Sequence, residues 1–507
     1  MRATDSPPST RWRDAPDHDA KSAIFLAIRN AFALGGSLLG TWSIALAIRL
    51  VLPRFLGPSL FGTLTFADAF TATFFVTLNL GLDYYIHKEV SVRPAHASDF
   101  LGGALVLRLV MTVGLFGLMT GVLRLAGRPA NVIALVYLYG CFQFFVLANG
   151  TLSSLLHAKG RVRGVSILAV VSKVMWAAGV VAAMVLHAPL WAYGIAYVAS
   201  EGTEVVALWW LARKHLGVVF RIDVSATRAM LLASLPYYLN GLLSTAYGKL
   251  DITILDFYDG NEEVGLYGAA QAVAGLTLLA TPVMSWVLMP MFARAAARSH
   301  EELYSQARRS LELILSIVIP VSLIINLGAD MWIRLIFGAA YAPAASALRV
   351  LACMFVVMYV SMVFGMTQVM LERAWALVSI FLLGLIVNLV LNLVLIRFSL
   401  HWFGPGGGGT GCALATLATE TTIASCMAYV TRLRTFNRRN VSVIARSVAA
   451  CAVVVVVHRL LPVAGVVRIA IDASIYFILV VVTGALRPKE MLNVVREAMS
   501  ARNAGRS

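Results

Sequence analysis

Four cations stand within or at the edge of long apolar runs: Arg49, Arg108, Lys173 and Lys249. A charge at the centre of a membrane helix costs roughly 2.5–3.5 kcal/mol on insertion scales. Arg108 and Lys173 lie deep in their runs, so each is expected to line a wet cavity or to meet a carboxylate. Guanidinium and ammonium groups inside an apolar shell suit an anionic amphiphile, and a pyrophosphate head group in particular. Arg29 and Arg349 lie near run ends, where a charged tip can reach the interface instead. The acids in or near the runs are Asp68, Glu201, Glu204, Asp251, Asp256, Glu420 and Asp472. Asp68, Glu201, Asp251 and Glu420 are the candidates for ion pairing or for carrying a coupling ion, a proton or sodium. A carboxylate in a low-dielectric cavity can load and release a proton near neutral pH. Trp176, Tyr237, Tyr238 and Tyr247 offer faces for stacking on sugar rings, or for packing alone. No catalytic constellation stands out. The five cysteines stand singly, unspaced for a metal or a redox pair, so no metal and no cofactor are expected.

The elements that must position these charges follow from composition. Of 507 residues, 60% are hydrophobic and 13% charged, about half the charge of an average soluble domain. The chain is read as an all-α integral membrane protein, because backbone groups in lipid must be satisfied within each span. Apolar windows of about 20 residues predict fourteen spans. Their approximate bounds are 28–51, 60–82, 100–123, 132–156, 163–186, 189–211, 229–255, 264–290, 311–329, 344–370, 375–396, 410–431, 443–461 and 467–486. Residues 1–22 read as a disordered polar tail with no cleavable signal. The formal net charge of +16 does not mark a nucleic-acid face, because the basic residues cluster in short loops between apolar runs. The loops after odd-numbered spans hold only Arg54, Arg124, Arg128, Arg334, Arg397, Arg459 and Arg468. The positive-inside rule then places both termini in the cytoplasm.

An internal echo organises the spans. Ala196-Tyr197-Val198-Ala199-Ser200-Glu201 recurs as Ala415-Thr416-Leu417-Ala418-Thr419-Glu420. A shift of 203 residues also carries Gly57 onto Gly260 and Gly62 onto Gly265. On the same shift Lys249 falls on position 46, one helical face with Arg49. Six spans per half is even, so the halves are expected to insert the same way round, as parallel repeats. The expected units are an N-terminal lobe at 23–215, a C-terminal lobe at 216–434, and two further helices with a basic tail at 435–507. The run Gly404-Pro405-Gly406-Gly407-Gly408-Gly409-Thr410-Gly411 lacks the Gly-Lys-Ser/Thr of a phosphate loop and reads as a flexible external turn. Asp256, Asp259, Glu262 and Glu263 read as a solvated external turn.

Several strings carry a family resemblance. They are Arg54-Phe55-Leu56-Gly57-Pro58 with Phe61-Gly62, Asn79-Leu80-Gly81-Leu82-Asp83, and Leu250-Asp251 leading to Val264-Gly265-Leu266-Tyr267. Phe337-Gly338-Ala339-Ala340-Tyr341, Asn388 with Asn392, and Gly411-Cys412-Ala413-Leu414-Ala415-Thr416 with Glu420 follow in the second half. In their order and spacing they resemble the polysaccharide flippases of the multidrug/oligosaccharidyl-lipid/polysaccharide exporter superfamily. The resemblance implies two six-helix lobes about a central cavity, plus two C-terminal helices. It implies alternating access for an undecaprenyl-pyrophosphate-linked sugar repeat unit, moved to the periplasmic leaflet of a bacterial inner membrane for O-antigen, capsule or exopolysaccharide. Its partners would be that lipid-linked oligosaccharide, membrane lipids, and polysaccharide polymerase and export machinery. A drug or metabolite exporter and a lipid II flippase share the implied fold and remain alternatives. A polymerase or ligase would need a sizeable external loop, which this chain lacks.

Overall fold

The computed structural model describes residues 17–80, 97–159, 161–217, 220–431, 434–460 and 465–484. The ends of the expected polar tails and Gly81-Leu82-Asp83 lie outside them, as do the side chains of Arg29, Tyr237 and Tyr247. Helices carry the described chain from end to end, with no strand among the described residues. The first is α1 (Asp17–Phe75), broken at Gly57, where φ is 76°. A side chain is strained at that φ, and Pro58 sits well at the start of the new arm. A 3₁₀ turn, Val76–Leu78, ends this second arm. Then come α2 (Ala97–Leu125), α3 (Ala130–Ala158), α4 (Val162–Val185) and α5 (Leu190–Leu216).

Helices α6 (Val224–Asp259) and α7 (Asn261–Ala274) meet at Gly260, whose φ of 79° repeats the break at Gly57. A 3₁₀ stretch, Gly275–Leu279, divides α7 from α8 (Ala280–Arg298), so the expected eighth span is two helices. The rest are α9 (His300–Leu327), the short α10 (Ala329–Phe337), α11 (Ala344–Met370), α12 (Ala374–Phe403), α13 (Gly407–Val430), α14 (Arg438–Leu460) and α15 (Val466–Val482). Among the described residues, eight helices are long and apolar enough to cross a membrane, by length and composition. The chain is a multi-pass membrane protein.

One packing scheme occurs twice. In the first half α1 packs on α4, α4 on α5 and α3 on α5. In the second half α6 packs on α12, α12 on α13 and α11 on α13. The halves meet mainly where the second arm of α1 crosses α7. Glycines set how close they come. A Cβ on Gly62 would lie 1.6 Å from the Asn261 carbonyl oxygen, and one on Gly265 would lie 1.9 Å from that of Pro58. Helices α14 and α15 pack on each other and on α9. Asp472, buried in α15, meets His458 of α14 at 2.5 Å, and Arg468 of α15 donates to the Val457 carbonyl of α14 at 2.9 Å.

The glycine run is not a flexible turn. Residues 407–411 form the buried first turns of α13. Cβ atoms on Gly407 and Gly411 would lie 2.5 Å from the Ser399 and Leu395 carbonyl oxygens of α12. The glycines are there for close helix packing. The carboxylate of Glu263, only 4% exposed, accepts from the amides of Gly406 and Gly409 and caps this helix start. Asp256 is likewise buried, so the expected solvated turn is half interior.

Candidate functional site

The structure sorts the intramembrane charges by burial. Arg108 on α2 is fully buried, a correction to its expected place on a cavity wall. Its Nε donates to the Leu78 carbonyl at 3.0 Å, Nη2 to that of Asn79 at 3.1 Å, and Nη1 to that of Leu147 at 2.8 Å and to Thr151 Oγ1. The cause is local. The helix ends at Phe75 and leaves carbonyls beyond it without intrahelical donors, and a forked guanidinium satisfies several at once. Arg108 therefore positions the end of α1 against α3. Asp251 is also interior. It accepts from Tyr267 Oη at 2.7 Å and from the Ile252 amide at 2.8 Å, tying α6 to α7.

The remaining cations keep solvent-accessible surface near the seam between the halves. Lys249 on α6 reaches Asp68 on the second arm of α1, 3.4 Å away, each side chain about one-third exposed (32% and 38%). An ion pair so exposed is worth about 0–1 kcal/mol, so its partners exchange readily. Arg49 is exposed on the first arm of α1. Lys173 on α4 is half-buried, its ammonium 4.8 Å from the Trp176 ring centre. The Trp176 ring lies 4.9 Å from Tyr197, which lies 4.7 Å from Phe142 and 5.5 Å from Tyr139. Lys173 thus stands against an aromatic wall of four rings, while Lys249 and Asp68 pair across the halves. Sequence reasoning missed Tyr197, Tyr139 and Phe142, although Tyr197 stands in the echo string itself.

The two echo carboxylates have matched settings. Glu201 on α5 accepts from Asn149 Nδ2 of α3 at 2.9 Å. Glu420 on α13 is buried and accepts from Ser361 of α11 at 3.5 Å. Each faces the fourth expected span of its own half. Glu201, half-buried beside Lys173, borders the seam neighbourhood.

A second polar group bridges one end of the seam. Arg128, between α2 and α3, pairs with Asp256 at the end of α6 through Nη2 and Oδ2, and donates to the Asp256 carbonyl at 3.0 Å. Its guanidinium lies 5.3 Å from the Phe66 ring centre and 5.5 Å from that of Phe257. The Asp256 side chain is 0% exposed and that of Arg128 18%. Tyr341 Oη donates to the Pro53 carbonyl at 2.8 Å at the same end. These links, with the Gly62–Gly265 crossing, join the halves at the end that carries the loops after odd-numbered spans. Nothing in the sequence marks the Arg128–Asp256 pair, whose members stand 128 residues apart.

Comparison with known proteins bears on this arrangement. The profile of the polysaccharide biosynthesis protein family matches residues 27–296. A probable low-salt glycan biosynthesis flippase, Agl15, of Haloferax volcanii is 22% identical over 401 residues, covering 78% of this chain and 80% of that protein. Among solved structures, the lipid II flippase MurJ in an inward closed conformation superposes with a TM-score of 0.70 at 13% identity, over 92% of this chain and all of that one. An inward-facing multidrug resistance MATE transporter of the MOP superfamily gives a TM-score of 0.64 at 16% identity, over 78% and 94% of the two chains. These superpositions establish the fold.

Proposed function

The chain belongs to the polysaccharide biosynthesis protein family, and from that premise we propose that it flips a lipid-linked oligosaccharide across a membrane. The substrate is an undecaprenyl-pyrophosphate-linked repeat unit, carried from the cytoplasmic to the periplasmic leaflet of a bacterial inner membrane for surface polysaccharide. One observation carries this reading: cations of apolar helices keep accessible surface, Lys173 against the Trp176–Tyr197 rings, Lys249 paired across the halves with Asp68, and Arg49 exposed on α1. Cations bind the pyrophosphate and the rings stack on sugar. In this reading the chain makes fourteen spans, with lobes at 23–215 and 216–434, two further helices at 435–507, and cytoplasmic termini. The Arg128 seal then lies on the periplasmic side, so the substrate enters from the cytoplasm.

The chemistry is exchange of anions. The pyrophosphate takes Lys249 from Asp68 because the exposed pair is weak and a charge-assisted phosphate contact is stronger. Asp68, freed, accepts a proton or sodium, and Glu201 beside Lys173 is the second candidate carrier. The lobes rock about the filled site while the lipid tail stays in the bilayer. No step breaks a covalent bond, so the protein is a transporter rather than an enzyme. A lipid II flippase is the second reading, favoured by the 92% coverage of this chain in the MurJ superposition.

Deleting the gene and assaying surface glycan and lipid-linked intermediates tests both readings. Loss of surface glycan, with intermediates held in the inner leaflet, supports the first. Intact surface glycan with failed cell-wall synthesis moves the assignment to lipid II, and altered drug tolerance alone sinks both. Lys173→Gln at normal protein level is expected to abolish complementation.

A further inference from the structure

A second cationic site lies away from the seam, at the opposite end of the second half. A cavity of about 280 Å3 opens between the start of α9 and the ends of α11 and α13. Its polar lining includes His300, Tyr304, Arg373, Thr431 and Arg434, and no carboxylate lines it among the described residues. The nearby acids of α9 are engaged elsewhere: Glu301 with Arg308 at 2.8 Å and Glu302 with Arg298 at 2.6 Å. Glu372, beside Arg373, is exposed and does not line the cavity, so the charged groups among its described lining residues are cations.

The arginines are held but not saturated. Arg373 Nη1 donates to the Val430 carbonyl at 2.8 Å, one bond from a group with five donors. The guanidinium of Arg434 lies 5.9 Å from the Tyr304 ring centre, and its carbonyl accepts from Arg308 at 2.8 Å. A cation near a helix C-terminus complements the dipole, which accounts for the single bond of Arg373. It does not account for two guanidinium groups and an imidazole converging on one hollow. Forked donors of this kind match phosphate oxygens, and basic pockets between helices at a basic membrane face hold phosphate head groups. Leu371 and Val430 add an apolar wall suited to the glycerol and upper acyl region of a lipid.

We propose that this pocket binds a phosphate group, that of an anionic phospholipid head group, and so fastens the ends of α9, α11 and α13 to the membrane surface. The site shares no residue with the seam and stands whether or not the transport reading does.

The test uses the purified full chain in phosphatidylcholine discs. Cardiolipin is added to the discs in one arm and inorganic pyrophosphate to the solution in another, with thermal melting and native mass spectrometry as readouts. In the wild type, cardiolipin is expected to raise the melting temperature and to remain as an adduct. Arg373→Gln with Arg434→Gln is expected to weaken that binding about tenfold or more. The pair Arg373→Lys and Arg434→Lys keeps charge and isolates the forked geometry. Arg213→Ala with Lys214→Ala, at another basic helix end, controls for bulk charge. A shift with pyrophosphate alone, lost in the Gln pair, supports the phosphate site and assigns it to a soluble source. No wild-type shift in either arm, or shifts equal in wild type and Gln pair, overturns the proposal.

Discussion

The Arg128–Asp256 pair offers the sharpest test of how the seam works. Arg128→Ala strands the Asp256 carboxylate, whose side chain is 0% exposed, and removes two cation–π contacts. Removing one partner of a buried pair costs about 3–5 kcal/mol. Asp256→Asn instead leaves Arg128, 18% exposed, able to turn toward water, and should cost less. If the pair forms only while this end is closed, a loss of about 3 kcal/mol lowers the closed population roughly a hundredfold relative to the open one, at 1.4 kcal/mol per tenfold. Spin labels at Leu125→Cys and Leu335→Cys, both exposed and near this end, report the change in a background without the five native cysteines. The expected result is a longer mean distance in Arg128→Ala, a smaller change in Asp256→Asn, and a long distance with restored stability in the double variant Arg128→Ala, Asp256→Ala. Unchanged distances in Arg128→Ala, or a larger effect from Asp256→Asn, would refute the assignment of the pair as a seal.

Four further outcomes follow from the geometry. Gly62→Ala and Gly265→Ala should each lower folded yield and melting temperature, since both Cβ atoms would meet backbone oxygens closer than 2 Å; Gly117→Ala, with nothing within 4 Å, should stay near neutral. Arg108→Lys should cost stability, because an ammonium cannot span the carbonyls of Leu78, Asn79 and Leu147. Lys173→Gln should leave melting unchanged while transport fails, so the two variants separate in a paired melt and complementation assay. Glu263→Ala should destabilise by about 1–3 kcal/mol for each buried amide of Gly406 and Gly409 left unsatisfied, and Glu263→Gln by less, read by thermal melting.

What the sequence revealed, and what it hid, divides along physical lines. Hydropathy located the apolar helices because a lipid-facing helix must be apolar over its length. The matched helix breaks at Gly57 and Gly260 and the close crossing at Gly62 and Gly265 were legible because a positive φ and a missing Cβ each demand glycine. The charges were harder. The sequence shows the cost of Arg108 but not the carbonyls freed where α1 stops short, so a positioning residue reads like a cavity cation. Asp256 and Glu263 stand among polar neighbours and look solvated, yet their partners are Arg128 and the amides of Gly406 and Gly409. The glycine run shows the converse error, since Gly serves close packing as readily as flexibility. Span bounds also hid the divided helix at Gly275–Leu279, although Gly275 opens it and Pro282 follows in the first turn of α8, where its missing N–H cannot bond back to the Leu278 carbonyl.

Burial separates charges that hold the fold from charges free to act, and the difference sets what a substrate must supply. A ligand shifts a two-state equilibrium only by its differential affinity for the two states. Opening the sealed end means giving up the Arg128–Asp256 pair, on the scale of about 3 kcal/mol. The exposed Lys249–Asp68 pair resists by at most about 1 kcal/mol. Charge-assisted hydrogen bonds contribute about 1.5–3 kcal/mol each. Two such bonds from a pyrophosphate to Arg49, Lys173 or Lys249, formed better in the open state than in the closed one, match the sum of both losses. One does not reliably do so. A carrier with a single phosphate should therefore bind at the seam yet drive opening poorly, whereas the pyrophosphate form should do both. Comparing spin-label distances with monophosphate and pyrophosphate carriers separates these cases. Equal opening by the two would mean that sugar stacking on Trp176 and Tyr197, rather than the head group, drives the transition.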